Sequence, residues 1–438
     1  MADKISLHLL EYLSFGADAA QPDAWLPGFS ESDWLSGLAM SDTAGLTFHL
    51  LEKLRKRDHF RLLPTRIQER LVKNEQDHTA RVAAVLRESL EFHRLFRSES
   101  IRYLTLKGLT SYPDFVDHLK HRVQYDHDFL VAPADRERAY QLFLKMGYEP
   151  LSASAKLAVD HLPTLVKKTG WIWKGNLYDC EIPRAVELHF RLWDTDFELI
   201  PIQFPDTWSC SVMCWFEGEP IPALCREHAL FYAMLHAFRH LLRNDLRLSH
   251  LYELAYFLHT HAEDSVLRCQ GESPEESFWE GFERILHGSG RGLQIAATMF
   301  KLSEHCFGNR LAAAAGELVR RHLSPASQLW IERFGRSEAV DCFRKSKSPV
   351  LLHLSFVDTY SARWKVLRRR WVPRHLPLPS LAVPTAKEQQ SLWFRLQRPL
   401  RYGLQILRRI IFHISSFARF LVELPVWQWR LYCHRKAQ

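Results

Sequence analysis

The chain has 438 residues, 47% of them hydrophobic, with 58 Lys and Arg against 50 Asp and Glu for a net charge of +8. That is enough apolar material to bury a substantial core, and the length predicts two or three domains. No run of about 18 uninterrupted apolar residues occurs and Met1-Ala-Asp-Lys opens no basic segment leading into an apolar core, so neither a membrane-spanning helix nor a secretory signal is predicted.

Residues 1–98 read as an N-terminal helical region. Leu7, Leu9, Leu10 and Leu13 form a short amphipathic stripe, Ser30 with Asp33 and Trp34 opens a second helix, and Ala44 to Lys56 gives a third. Pro64-Thr65 then precedes a long helical pattern from Ile67 to about Phe96, whose apolar positions are expected to pack on a sheet.

Residues 99–222 read as an α/β core. Ile101 to Leu106 is a β-branched and aromatic run that breaks at Lys107-Gly108, a buried strand entering a tight turn. There a cation and a bare backbone stand where a helix is expected to begin, a natural seat for phosphate. A second strand, Phe129-Leu130-Val131, follows Asp126-His127-Asp128 and is closed by Pro133. Residues two apart on a strand share a face, so Asp126 and Asp128 present paired carboxylates. Like charges held together repel unless a cation lies between them, and oxygen ligands suit Mg²⁺, with Mn²⁺ as the alternative. The bland reading is a pair of solvated aspartates at an exposed strand end.

Ala134 to Met146 has the pattern of an amphipathic helix, opened by Pro133-Ala134-Asp135 and stopped by Gly147. Leu165 to Asp179 predicts a hairpin in which Lys167, Lys168 and Lys174 flank Gly170 and Gly175, with Trp171 and Trp173 between. Such a hairpin would stack a base or receive an acceptor, or its tryptophans are simply core. In Ala185 to Trp193, Val186, Leu188 and Phe190 alternate with Glu187, His189 and Arg191, a further strand carrying a third carboxylate.

Cys210, Cys214, Cys225 and His228 have the spacing C-x₃-C-x₁₀-C-x₂-H, only loosely like a structural zinc site, and Cys210 to Trp215 is too apolar for a knuckle. Buried reduced thiols are the expected reading. The eight scattered cysteines of the whole chain fit a cytoplasmic protein.

Residues 223–345 return to helical periodicity. His228, His236 and His240 share a helical face, followed by Arg247-Leu248-Ser249-His250-Leu251-Tyr252-Glu253-Leu254. Loops are expected at Gly271–Pro274 and His287–Gly290, with Leu293 to Leu302 and Arg310 to Leu323 as further helices. Residues 346–392 are expected to be a linker carrying the proline-rich VPRHLPLPSLAVP, and residues 393–438 a basic amphipathic helix. Between residues 363 and 438 sixteen Lys and Arg face two acids, Glu388 and Glu423, so this part carries +14 and residues 1–362 carry −6. Charge therefore gives no signal for nucleic-acid binding by the core. It points the tail toward an anionic membrane surface or a protein partner, with the protein cytoplasmic and peripheral at the inner membrane face; folding back on the protein's own helices is the alternative.

The succession LKG at Leu106 to Gly108, Arg122 four residues before D-x-D at Asp126 to Asp128, Gly147-Tyr148, and ELHF from Glu187 resembles the uncharacterised nucleotidyltransferase family of the DNA polymerase β-like superfamily, across roughly Leu71 to Leu258. The resemblance implies an α+β fold, with a small mixed-sheet nucleotidyltransferase core flanked by N-terminal helices and a larger C-terminal helical region. It implies transfer of an NMP group from an NTP to an unidentified acceptor, with Asp126, Asp128 and Glu187 as catalytic metal ligands. Lys107, Gly108, Arg122, His189, His236, His240 and Arg247 are the residues it places near nucleotide or acceptor. The chain departs from the pattern at Lys107-Gly108, where Gly-Ser is more usual in the superfamily, at His127, where the family is aliphatic, and at Glu187, where many members have Asp. A degenerate member that binds nucleotide without turnover, or a protein working through its basic tail, is the alternative function.

Overall fold

The computed structural model describes residues 4–16, 25–151, 160–262, 277–341, 347–371 and 392–437. Helices α1 (Lys4–Tyr12), α2 (Glu31–Ala44) and α3 (Thr47–Lys56) lead to α4 (Thr65–Ser98), a helix of 34 residues. Ser30 caps α2 as expected, its side chain accepting from Asp33 N–H while the Asp33 carboxylate accepts from Ser30 N–H. Strands β1 (Tyr103–Thr105) and β2 (Asp126–Val131) follow, then helix α5 (Arg136–Lys145), β3 (Tyr148–Pro150), β4 (Leu165–Lys167), β5 (Ala185–His189), a short α6 (Thr195–Glu198), β6 (Ser211–Phe216) and β7 (Glu219–Leu224). The seven strands form one mixed sheet in the order β3-β4-β5-β2-β1-β7-β6. Within it β2 runs parallel to β5 and β1 parallel to β7, and the other neighbours are antiparallel. The architecture is the expected α+β fold with a larger C-terminal helical region.

Alternation along β2 assigns its faces. His127, Phe129 and Val131 turn toward α4 and α5, where Phe92, Phe96, Phe143, Val186 and Leu188 enclose Phe129. Asp126 and Asp128 take the opposite face, which Leu130, Leu104 and Tyr232 line under the helix that follows β7. His127, foreign to an aliphatic strand position, is accommodated by α4: its ring lies edge-on to Phe92 at 5.1 Å and its Nε2 bonds Glu88 Oε2 at 3.0 Å. Glu88 also accepts from Arg184 and from the Tyr148 hydroxyl.

The remaining helices are α7 (Arg226–Arg243), α8 (Leu248–Thr260), α9 (Phe278–Gly288), α10 (Gly292–Phe307), α11 (Ala313–His322), α12 (Pro325–Asp341), α13 (Pro349–Ser355), α14 (Tyr360–Trp371) and α15 (Leu392–Ala437). The N-terminal helices do not stand apart from them. Ile5 and Leu9 of α1 share a core with Phe300 and Trp330, and Phe15 N–H donates to Phe307 O at 2.7 Å. Helix α4 joins the two cores, its first half contributing Ile67 and Leu71 to the helical one and its second half Phe92 and Phe96 to the sheet.

Three local expectations differ. The hairpin predicted over Leu165–Asp179 has only its first strand; β4 pairs instead with β3 and β5. The rest is a loop closed by side chains, with Trp171 Nε1 donating to Asp179 at 3.0 Å and Asn176 to Asp77 at 2.8 Å, and Trp171 and Trp173 are half-buried. Within the stretch expected as linker, α13 and α14 are helices whose Val350, Leu351 and Val366 enter the core, while the proline-rich segment and the loop at Gly271–Pro274 lie outside the described residues. Finally, Ile406–His434 within α15 is long and apolar enough to cross a membrane by length and composition. Counting uninterrupted apolar residues missed it because Arg408, Arg409 and Arg419 punctuate the run.

Burial alone would raise the Glu88 carboxyl, but His127 and Arg184 outweigh it and hold the group near 2 against an ordinary 4.5. Its contribution to stability is therefore full above pH 4.5 and lost as the pH falls through about 2. The stability gap between the wild type and Glu88→Gln, read from urea unfolding midpoints, is expected to be widest above pH 4.5 and to close toward pH 2.

Candidate active site

Parallel pairing of β2 with β5 places Asp128 directly opposite Glu187 and Asp126 opposite Ala185. Glu187 therefore reaches the D-x-D strand by backbone register, and His189, two residues further along β5 and on the same face, stands beside them. The ligating atoms of Asp128, Glu187 and His189 lie within 4.8 Å of one another. His189 Nε2 donates to Asp128 Oδ1 at 3.1 Å and stands 3.7 Å from Glu187 Oε2. Asp126 begins the same strand half-buried and does not join that set, but its charge acts on both Lys107 and Glu187.

The electrostatics are those of like charges held largely out of water. Lys107 Nζ lies 3.1 Å from Asp128 Oδ2. Burial would raise the Asp128 carboxyl, yet Lys107 first and His189 second hold it far below the usual carboxylate range. Burial likewise opposes the charge on Lys107, and Asp128 outweighs it, so the ammonium is held protonated. Among the described residues Glu187 has no Lys or Arg partner of this kind: burial, then the charge of Asp128, push its carboxyl up. Its neighbours are Thr164 Oγ1 at 3.3 Å and His161 Nε2 at 3.9 Å. A pair of buried carboxylates with one under-neutralised member suits a divalent ion bound through oxygen.

Lys107 also donates to His236 Nε2 at 2.9 Å and so links the carboxylates to a second group. His236, His240 and His250 of α7 and α8 bring ring nitrogens within 4.8 Å of one another, and Asp245 orients His240 by accepting from its Nδ1 at 3.0 Å. Burial first, and nearby cations second, depress the proton affinity of His236 and His250, so both rings are neutral. A cavity of about 330 Å³ opens here, lined by Lys107, Tyr232, His236, His250 and Glu253 among others.

The other predicted residues are placed as follows. Gly108 has φ of +78° and begins a four-residue 3₁₀ turn rather than the full helix expected of a phosphate seat. Arg122 is turned to α8, its Nε 3.0 Å from Glu253 Oε1. Arg247 lies 4.9 Å from the centre of the Tyr125 ring, immediately before Asp126, with Arg81 at 4.7 Å from the same ring. Sequence reasoning missed Asp160, His161 and Arg239. Buried Arg239 of α7 pairs with Asp160, whose Oδ2 stands 3.7 Å from His189 Nδ1. The signal was an arginine inside the apolar stripe of α7, a position seldom buried without a carboxylate partner.

A Cβ on Gly108 would meet the Gln124 amide at 2.9 Å and force a left-handed backbone on a side-chain-bearing residue. Gly108→Ala is expected to cost about 1–3 kcal/mol in chemical denaturation, an ordinary Gly147→Ala control being free of the contact but not of the backbone strain.

No curated protein and no solved structure gives a significant match to the chain. A family model does, described as an uncharacterised nucleotidyltransferase, and it matches residues 30–268, more than half of the chain, taking in α2 through α8 and the whole of the site above. With the acidic residues of β2 and β5, the Lys107 turn and the α7 histidines all inside that span, the chain belongs to this nucleotidyltransferase family.

Proposed function

We propose that the protein is a metal-dependent nucleotidyltransferase that moves an NMP group from an NTP to an acceptor and releases pyrophosphate. The observation that carries the reading is the in-register pairing of Asp128 with Glu187 on adjacent parallel strands, beside Asp126 and Lys107. Asp126, Asp128 and Glu187 would hold Mg²⁺ or Mn²⁺, a hard cation matched to carboxylate oxygens. Such ions, when bound, neutralise charge on the attacking and leaving oxygens of an in-line displacement.

The chain's own residues set up that displacement. Lys107 keeps Asp128 ionised, and its ammonium would offer a positive charge to the triphosphate. The Gly108 turn brings backbone close to that approach without a side chain in the way. His189 and Lys107 each hold one oxygen of Asp128 and so fix the orientation of the carboxylate that would meet the cation. His236 and His240, with Arg247 and the cavity beside Lys107, offer hydrogen bonds and a stacking surface to nucleotide or acceptor. Arg122, released from Glu253, is the further triphosphate contact.

Incubation of the full chain with labelled NTPs, Mg²⁺ or Mn²⁺ and a cell lysate is expected to give a labelled acceptor. Asp128→Asn should lower that transfer about 10²- to 10⁴-fold, or roughly 3–5 kcal/mol of barrier, with the fold checked by circular dichroism. Stabilisation by NTP in a thermal shift without any transfer would instead favour the nucleotide-binding alternative.

We infer as well a peripheral position on an anionic membrane at the inner face, through α15. One face of this helix is fixed to the protein: Phe420 packs on Trp371 at 4.5 Å, Trp427 on Phe334 at 6.3 Å, and Glu423 pairs with Arg333. Away from it, Leu404, Leu407, Ile411, Ile414, Leu421 and Trp429 are each at least 47% exposed. Arg408, Arg419 and Arg430 recur every eleven residues, close to three helical turns, and so line one flank. An apolar stripe edged by arginines on a helix already docked along its opposite side suits a helix lying in the headgroup plane. Full-length protein should float with phosphatidylserine vesicles, less so at high salt, and lose flotation on removal of residues 392–438; sedimentation of the intact chain would count against this position.

A further inference from the structure

The hairpin of β6 and β7 brings together two cysteines and a histidine that lie outside the nucleotidyl-transfer site. Cys210 precedes β6 and Cys225 follows β7, so they face one another across the hairpin's open end, where Cys225 N–H donates to Cys210 O at 3.2 Å. Their sulfurs are 2.7 Å apart, closer than the roughly 3.7 Å set by two Zn–S bonds at a tetrahedral angle, so the two side chains would part by about 1 Å around an ion. Cys225 is also the N-cap of α7, and its sulfur accepts from the backbone N–H of His228 in the first turn. Ligating atoms of Cys210, Cys225 and His228 lie within 4.8 Å of one another. His228 is 4% exposed, and its Nδ1 has no hydrogen-bond partner among the described residues. Cys214, the fourth member of the sequence spacing, takes no part: it pairs with Ile221 in the middle of the ladder and packs with Leu109 and Phe216.

We propose that Cys210, Cys225 and His228 bind a zinc ion through two thiolates and one imidazole. The donor set is the one this d¹⁰, borderline-soft cation takes, and three protein ligands leave a fourth position for solvent. That position is available on the side of a cavity of about 450 Å³ lined by Cys210, Cys225, His228, Ser277 and Arg284, which also gives the ion a way in. Burial, and then the neighbouring thiol, push the Cys225 sulfhydryl up, so thiolate forms only against a compensating charge. Burial depresses the proton affinity of His228 and leaves the imidazole neutral, as ligation needs. On binding, the two S–H bonds give their protons to solvent and their electron pairs to zinc, with no change of oxidation state. The positive end of α7 lies at the Cys225 sulfur. The ion would join the hairpin to the start of the helix that carries His236, Arg239 and His240 into the active site, tying the edge of the sheet to that helix.

The site is separable from nucleotidyl transfer because its ligands have a spectroscopic signature that carboxylates and imidazoles lack. Full-length protein made without a histidine tag is expected to carry about one zinc per chain by elemental analysis. Replacing zinc with Co²⁺ should give the near-ultraviolet thiolate-to-metal charge-transfer band together with tetrahedral visible bands. The double substitution Cys210→Ser with Cys225→Ser should lose that band, and His228→Gln should release the ion to chelators more readily. If either variant does not fold, the cobalt spectrum of the wild type decides alone. Cobalt bound without a thiolate band, which ions at Asp128 and Glu187 or at the three α7–α8 histidines would give, overturns the proposal. So does recovery of Cys210 and Cys225 as a disulfide under anaerobic, reductant-free purification.

Discussion

Everything in the sheet's functional face depends on Asp128 and Glu187 being opposite each other in parallel register. Two carboxylates at that spacing, both largely out of water, repel and are poorly solvated, and neither cost is recovered by hydrophobic packing. The fold meets one of them from within: Lys107 and His189 bind Asp128 and hold it ionised. Among the described residues Glu187 has Thr164 as its hydrogen-bond partner and two histidines just beyond hydrogen-bond distance. Asp128, Glu187 and His189 thus form a set of donor atoms close enough together that they could hold a metal ion.

Two long helices fix the geometry on which that arrangement rests. Helix α4 runs from the helical core to the sheet, and its Glu88 anchors His127 on the hidden side of the very strand whose other side bears Asp126 and Asp128. The polar residue that looked out of place in β2 is thus a tether, holding the strand from behind. Helix α7 covers the acidic face. It contributes Tyr232, His236, Arg239 and His240 along one side, and Arg239 braces Asp160 next to His189. Buried ion pairs of this kind are weak evidence for stability but strong determinants of position, because moving either partner leaves a buried charge alone.

The C-terminal helix shows how charge and packing can divide a single element. Its inward face is held by aromatic contacts and one ion pair, and its outward face exposes apolar side chains that no other described element covers. In a chain whose first 362 residues carry −6, the basic surplus is confined to this end. The chain is thus divided into a mildly acidic part and a strongly basic end.

Local pattern determined much of this protein. The capping box at Ser30, the long apolar period from Ile67, the β-run before Lys107-Gly108 and the alternation around Glu187 each follow from side-chain spacing over a few residues, and each is found where that spacing puts it. The same spacing made Asp126 and Asp128 neighbours on one face. What it could not carry was which distant segments meet. The parallel register that brings Glu187 to Asp128, the Arg239–Asp160 brace, the link from Lys107 to His236 and the meeting of Cys210 with Cys225 and His228 all join residues through strand pairing or helix packing. The predicted hairpin after Leu165 failed for the same reason: β4 found better partners in β3 and β5 than in its own sequel. Period and propensity are properties of a stretch, whereas partners are chosen by how a whole chain closes over its core, and only the folded structure decides that.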